Sequence, residues 1–275
     1  MPSYVVIGGS RDIGLELVRQ LAANADNIVF ATVRNKTGLT YLNELVASLT
    51  TGNIHVLEAD VVEHSSMKAI AADAAETTGG SLDVLIHNAA RTERENIFRG
   101  LTNYEDDDKL DAEFIESMSY TTHSTLFKVN VRGAIHAVNA FLPLLRKGST
   151  KKIAIIGSEG GTPEFVWKLR LHSMAAYGAT KSAEQLVMTK YAALLEPEGF
   201  TVVAIDPGLV DVSKTTPEKR EFCVEGQLVR FEETFTNHRI FTPEEAVDRV
   251  LSIIGVMSPK DNASFWSYLE FRKKD

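Results

Sequence analysis

Tyr177 and Lys181 stand four residues apart in AAYGATKSAEQLVMTKYAALLE, a segment with helical apolar periodicity, so the two side chains share one face. A phenol ionises near pH ~10 in water, and an ammonium at roughly 5 Å with an effective dielectric of ~20 favours the phenolate by about 3 kcal/mol, or ~2 pK units. A tyrosine so placed is a general acid: it delivers a proton to a carbonyl oxygen while hydride reaches the carbon, or withdraws one in the reverse direction. Ser158, in GSEGG, offers a hydroxyl to hold the same oxygen. Asn130, in FKVNVRGAIHAVNAFLPLL, is expected to join Lys181 to a water chain that resupplies the proton. Tyr-x-x-x-Lys also marks ordinary surface pairs, so the order of these residues along the chain counts for more than the pair itself.

The elements that must position them are short apolar runs, YVVIG, NIVFAT, IHVLEAD, LDVLIHN, KKIAIIG and TVVAID, separated by segments of helical length and periodicity. Strands this uniformly apolar are buried on both faces, which predicts a doubly wound α/β fold, a mainly parallel sheet with helices above and below. Binding then belongs at the C-terminal ends of the strands. Three connections exceed the usual loop length, residues 89–113, 158–172 and 207–241, and all three follow strands onto that face.

VVIGGSRDIG leads from the first run into the apolar helix LELVRQLAA, the context a dinucleotide turn requires. Gly8 permits the sharp exit from the strand, Gly14 the close packing of the helix, and the helix N-terminus attracts phosphate. Asp12 occupies the position where such a turn normally has glycine, and it is expected to point to water or to cap the helix by accepting its backbone N–H groups. A turn that merely starts a buried helix would read similarly. The second run ends ATVRN, where an NAD site places an acid; Val33 and Arg34 stand there instead. Arg34, with Arg11 from the turn, favours the 2′-phosphate of NADP(H), although two solvated surface arginines would leave the same trace.

Length and composition set the bounds. The 275 residues suit one large α/β domain, with 44% hydrophobic and 24% charged residues, and no apolar window long enough to span a membrane. The N-terminus carries no evident secretory signal, and the lone Cys223 cannot form an intramolecular disulfide, which suits a reducing cytoplasm. The net charge of -8 is concentrated at residues 101–118, where seven acids face Lys109 alone. The absence of a basic stripe disfavours nucleic acid as a partner. The acidic run lacks an oxygen-ligand pattern and reads as a solvated face, so no metal is expected. In the stretch TPEFVWKLRLHSMAA, Phe165, Val166, Trp167 and Leu169 form either an apolar wall beside Ser158 or ordinary core packing, and His172 offers a polar contact. Phe165, Trp167 and His172 are the candidate substrate residues.

In chain order, the turn from Gly8 to Gly14, Asp60-Val61 after the third run, His87-Asn88-Ala89-Ala90 after the fourth, Asn130, Ser158, Tyr177, Lys181 and Pro207-Gly208 after the sixth appear together. From end to end the chain resembles the short-chain dehydrogenase/reductases, in the branch of roughly 250 residues. FTPEEAVDRVLSIIG and DNASFWSYLE look like the last helix and short seventh strand of the family's cytosolic, often fungal, carbonyl reductases; Thr242, Pro243 and Glu245 also read independently as a helix start. The resemblance implies a catalytic tetrad of Asn130, Ser158, Tyr177 and Lys181. It implies NADP(H) held by Gly8, Ser10, Arg11, Ile13, Gly14, Arg34, Asp60, Val61, Asn88, Ala89, Tyr177, Lys181, Pro207, Gly208, Val210 and Ser213. The implied activity interconverts a ketone or aldehyde and an alcohol on a small organic substrate, including those of secondary metabolism. The implied protein is a cytoplasmic homodimer or homotetramer built through the helices of Asn130 and Tyr177. A single domain would carry inserts at about 91–113 and 162–176 and a substrate lid at about 209–241. Asp12, His87 with Ala90, and Val212 followed by Ser213 where the family places threonine depart from the pattern. Two other readings stay open: a cofactor-bound scaffold or regulator, and an enzyme that dehydrates, epimerises or cyclises a biosynthetic intermediate.

Overall fold

Each of the six apolar runs forms a strand: β1 (Ser3–Ile7), β2 (Ile28–Val33), β3 (Ile54–Glu58), β4 (Val84–His87), β5 (Lys152–Ile156) and β6 (Thr201–Ile205). The computed structural model describes residues 1–92, 101, 126–216, 221–224, 227–230 and 239–268. Four short strands follow, β7 (Leu209–Val210), β8 (Glu221–Val224), β9 (Gln227–Arg230) and β10 (Ile240–Phe241), and β11 (Phe265–Trp266) completes a seven-stranded sheet beside β6. Its order is β11-β6-β5-β4-β1-β2-β3, and every pairing within it is parallel. The helices are α1 (Asp12–Ala22), α2 (Thr40–Ser48), α3 (His64–Thr78), α4 (Gly133–Leu145), α5 (Pro163–Leu169), α6 (Ala175–Leu195) and α7 (Pro243–Val256).

The two-residue period of a strand explains why helices cover both faces. Val5 and Ile7 of β1, Leu85 of β4, Ile153 and Ile155 of β5 and Val202 of β6 enter one core, with Ile70 of α3, Phe141 of α4 and Met188 of α6. Their neighbours Val6, Val84, Ile86, Ala154 and Val203 enter the other, with Leu17 of α1, Leu42 of α2 and Val250 of α7. The helix start expected at Thr242 is present as a reciprocal cap: the Glu245 N–H donates to Thr242 Oγ1, and the Thr242 N–H donates to Glu245 Oε2.

At the N-terminal edge of the sheet, the Asp83 carboxylate accepts the N–H and hydroxyl of Ser3 on one oxygen and those of Ser149 on the other. Burial opposes its charge, but these four donors win and hold its pKa below the usual aspartate value. The opposite edge is where the chain changes direction: β2 and β3 extend from one side of β1 and β4 begins the other, which puts the switch point, where doubly wound sheets hold their ligand crevice, beside β1.

Among the described residues, no helix is long and apolar enough to cross a membrane. The acidic run at 101–118 and nearly all of the insert expected at 91–113 lie outside the described residues. Of the lid expected at 209–241, the description covers β7, residues 211–216, the antiparallel backbone pairing of β8 with β9, and 239–241.

Candidate functional site

The turn after β1 is built so that backbone approaches backbone. A Cβ on Gly14 would lie 1.9 Å from the Gly8 carbonyl oxygen and 2.6 Å from Asn88 Nδ2, and Gly8 itself holds φ +86 with the Ala89 backbone 2.9 Å from where its Cβ would be. Asn88 ties the two loops of the crevice together by donating from Nδ2 to the Gly8 carbonyl at 2.8 Å. The result is a shallow backbone cradle at the start of α1, whose first N–H groups have no partner within the helix. A Cβ at Gly8 or Gly14 would strike the facing backbone, so glycine at both positions lets the turn close tightly over the start of α1, where the N–H groups fit a dinucleotide pyrophosphate.

Asp12 does not cap α1, and that expectation is corrected. Its carboxylate Oδ1 accepts the hydroxyls of Thr215 and Thr216, each at 2.6 Å, while its N–H donates to Thr215 Oγ1 at 3.0 Å. The residue sits at φ +56, a left-handed conformation that costs a side-chain-bearing residue roughly 1–2 kcal/mol. Two charge-assisted hydrogen bonds of about 1.5–3 kcal/mol each outweigh that strain. The position usually filled by glycine thus fastens the segment after β7 onto the turn.

The four residues singled out for chemistry meet at the C-terminal ends of β4, β5 and β6. Asn130 lies in a π-helical turn, Lys128–Arg132, that opens α4. Its Oδ1 accepts the Arg91 N–H at 2.7 Å, and its Nδ2 donates to the Arg91 carbonyl at 3.1 Å and to Thr180 Oγ1 at 3.0 Å. Both amide hydrogens are committed, so the side chain clamps the β4 loop to α6. Ser158 starts a tight turn at 159–161 that lies against α6: a Cβ on Gly161 would be 2.6 Å from the Ser182 backbone nitrogen. This contact brings the serine to Tyr177, whose ionised form its hydroxyl favours; the same hydroxyl accepts the Gly160 N–H at 3.2 Å. Lys181 Nζ lies 6.0 Å from the centre of the Tyr177 ring.

The electrostatics differ from the simple pairing expected. Burial raises the Tyr177 pKa above the ordinary tyrosine value; Lys181 and the Ser158 hydrogen bond oppose burial, but Glu184 and Asp206 reinforce it. Lys181 therefore does not by itself bring the phenol near neutrality. Burial disfavours the Lys181 charge, yet Glu184 above all, with Tyr177 and Asp206, holds its pKa above the usual lysine value.

The remaining candidates lie on the segments that follow the strands. Ser10 and Ile13 are partly buried in the turn, Arg11 and Arg34 are exposed beside it, and Val33 is buried at the end of β2. Asp60 Oδ1 accepts the Val62 N–H at 3.1 Å, and Val61 is buried with its carbonyl 2.9 Å from His136 Nδ1. Pro207 is buried, Gly208 holds φ +81 against the Phe241 ring, and Val210 pairs with Phe241 through β7 and β10. The Ser213 N–H donates to Asp211 Oδ1 at 2.9 Å.

A family model described as short chain dehydrogenase matches residues 3–223. The chain belongs to this family. It is 34% identical over 269 residues to a short-chain dehydrogenase/reductase, atnB, of an Arthrinium species, covering 95% of each chain. It is 34% identical to a second, AacuF, of Aspergillus aculeatus, covering 92% of each. Among solved structures, the NADPH-bound carbonyl reductase from chicken fatty liver superposes with a TM-score of 0.76 at 25% identity, covering 98% of this chain and 97% of that one. This dehydrogenase/reductase is accordingly an oxidoreductase of the Rossmann type.

Its site also contains two carboxyl groups that sequence reasoning passed over. Glu184, one turn beyond Lys181, binds that lysine at 2.7 Å within the core. Its signal was an acid at the third position after a lysine on an otherwise buried helix face. Asp206, directly before Pro207, is buried, and its pKa is pushed up to about 7, by burial first and then by the Glu159 carboxylate, against hydrogen bonds from the Gly208 and Glu159 N–H groups and the charge of Lys181. Folded Asp206 holds its proton more tightly than the unfolded chain does. Its contribution to stability is therefore full below the unfolded value of about 4 and is lost as pH rises toward about 7. Asp206→Asn keeps the acceptor for Gly208 and is expected to stabilise the protein at pH ~8 by up to about 4 kcal/mol, with no gain near pH ~4. Urea unfolding at the two pH values measures this, and an equal effect at both would refute the assignment.

The insert helix α5 is not core. None of its side chains is buried, and Trp167 is 71% exposed with the Arg170 guanidinium stacked 3.6 Å from its ring centre. Phe165 is half-buried and His172 exposed. Core packing, one of the two expectations for this stretch, is thus excluded, and α5 stands as an open apolar flap a few residues beyond Ser158.

Proposed function

We propose that this chain is an NADP(H)-dependent reductase that interconverts a ketone or aldehyde and an alcohol on a small organic substrate of the kind found in secondary metabolism. The observation that supports the reading is the grouping of Ser158, Tyr177 and Lys181 at the same edge of the parallel sheet as the glycine turn. The nicotinamide, when bound, supplies or accepts hydride. Ser158 holds the carbonyl oxygen by its hydroxyl, and Tyr177, kept protonated by its surroundings, donates its proton to that oxygen. Lys181 stabilises the phenolate left behind, and Asn130 holds the β4 loop against α6 so that the crevice keeps its shape.

The same reading assigns the pyrophosphate to the turn of Gly8, Ser10, Ile13 and Gly14, and the adenine side to Asp60 and Val61. Asn88, Ala89, Pro207, Gly208, Val210 and Ser213 line the nicotinamide half, with Tyr177 and Lys181 at the ribose. Phe165, Trp167 and His172 serve as the substrate flap. Cytoplasmic residence and assembly as a homodimer or homotetramer through α4 and α6 complete it; Leu186 and Leu194, exposed on α6, supply apolar surface for that contact. Arg34 and Arg11 read the 2′-phosphate. Replacing both by alanine is expected to weaken NADPH binding by about 10-fold or more while leaving NADH within a factor of about 3, as fluorescence titration of the two cofactors would measure.

The decisive experiment is NADPH oxidation across a panel of ketones, aldehydes and quinones, with products analysed after use of deuterated NADPH. Deuterium carried into an alcohol supports the reading. Tight NADPH binding without turnover would favour the scaffold or regulator, and product formation without deuterium transfer would favour dehydration, epimerisation or cyclisation.

A further inference from the structure

Ionisable groups reach the Tyr177 phenol from several elements: Lys181 and Glu184 from its own helix, and Asp206 from the end of β6. Glu159, after β5, faces Asp206, and His87, at the end of β4, lies with Nδ1 3.5 Å from Glu184 Oε1. Two of these groups are tightly joined. Lys181 Nζ donates to Glu184 Oε2 at 2.7 Å and to the Ile156 carbonyl at 2.9 Å, and neither side chain is more than 2% exposed. The other carboxylate oxygen, Oε1, finds no hydrogen-bond partner among the described residues, and neither does either ring nitrogen of His87.

We infer that Glu184 is a positioning residue for Lys181: its carboxylate holds the ammonium between α6 and the end of β5 and neutralises much of the charge that Lys181 would otherwise present to the Tyr177 phenol. The inference rests on the proposed role of Tyr177 as the acid of a reductase.

Three physical points support it. A buried ion pair is poor value for stability, since apolar residues of similar volume usually serve the fold as well or better, so its presence beside Tyr177 calls for another account. An ammonium has three donors; two are taken by Glu184 and Ile156, which fixes the head group and leaves one donor. A carboxylate 2.7 Å from the ammonium converts a point charge into a dipole, whose effect on a phenol falls off faster with distance. Glu184 has no second hydrogen bond to lean on, so the effect of removing it falls on Lys181 and, through Lys181, on Tyr177. The pair keeps the phenol protonated in the resting protein, which suits proton donation to a carbonyl.

The test reads the phenol itself. The phenolate ultraviolet band is titrated from about pH 6 to about pH 11 in cofactor-free protein, and the Tyr177→Phe background is subtracted to isolate one of the seven tyrosines. Glu184→Gln is expected to lower the Tyr177 midpoint by about 1 pH unit or more, and Glu184→Asp, which restores the charge, to return it toward wild type. An unchanged midpoint in a folded Glu184→Gln protein would overturn the inference. Should glutamine prevent folding, Glu184→Leu carries the same expectation, and an unchanged midpoint in a folded Glu184→Leu protein would overturn the inference as well. Because no turnover is involved, an unchanged midpoint refutes only the role of Glu184, whereas failed deuterium transfer refutes only the reductase.

Discussion

Tyr177→Phe is expected to lower carbonyl reduction by about 10²- to 10⁴-fold, the usual contribution of a positioned general acid, while NADPH still quenches protein fluorescence with near-normal affinity. The substitution removes one hydroxyl from a partly buried ring that packs at the N-terminal end of α6, so the crevice keeps its shape. The oxygen it removes is the one whose ionisation Lys181 and Ser158 favour. Steady-state rates with any carbonyl the wild type reduces, beside a cofactor titration of the same preparation, separate chemistry from binding. Reduction within a few-fold of wild type would remove Tyr177 from the mechanism.

Gly14→Ala is expected to produce the largest loss of stability of any single methyl addition near the site. The new Cβ would fall 1.9 Å from the Gly8 carbonyl oxygen and 3.0 Å from its carbonyl carbon, both backbone atoms with no rotamer by which to retreat. Relief requires α1 to shift from the sheet, which would disturb the core contacts of Leu17 and Val18 and break the bond from Asn88 to Gly8. Overpacking that core side chains can absorb costs about 1–3 kcal/mol, and a clash with fixed backbone should exceed it. Thermal unfolding followed by circular dichroism, compared with Gly255→Ala, where no atom lies within 4 Å of the added Cβ, measures the difference. Similar melting temperatures for the two variants would contradict the packing described.

The parts of the molecule that were legible in the sequence are those governed by local pattern. The six apolar runs announce a sheet buried on both faces, because side chains alternate between two cores and both are apolar. Thr242 and Glu245 announce a cap that closes within four residues. Tyr177 and Lys181 are legible because one helical turn brings them together whatever the rest of the chain does. Asp12 was not legible: its partners lie 203 and 204 residues away, and nothing local distinguishes an acid that caps from one that binds a distant loop. Glu184 was passed over because its environment is set by the end of β5 and by His87. The α5 stretch misleads in the other direction, since Trp167 and Leu169 invite a buried reading that the folded chain does not give them. Long-range contacts decide all three cases, and composition is silent about them.

The bond between Asp12 and the two threonines also bears on engineering. Turn and loop form one interlocking unit although they are encoded at opposite ends of the sequence. A chimera that imports the segment after β7 from a glycine-bearing homologue would leave the aspartate carboxylate stranded in a left-handed backbone. One that imports only the turn would leave two hydroxyls with nothing to grip, so recombination of this scaffold succeeds only when all three positions travel together.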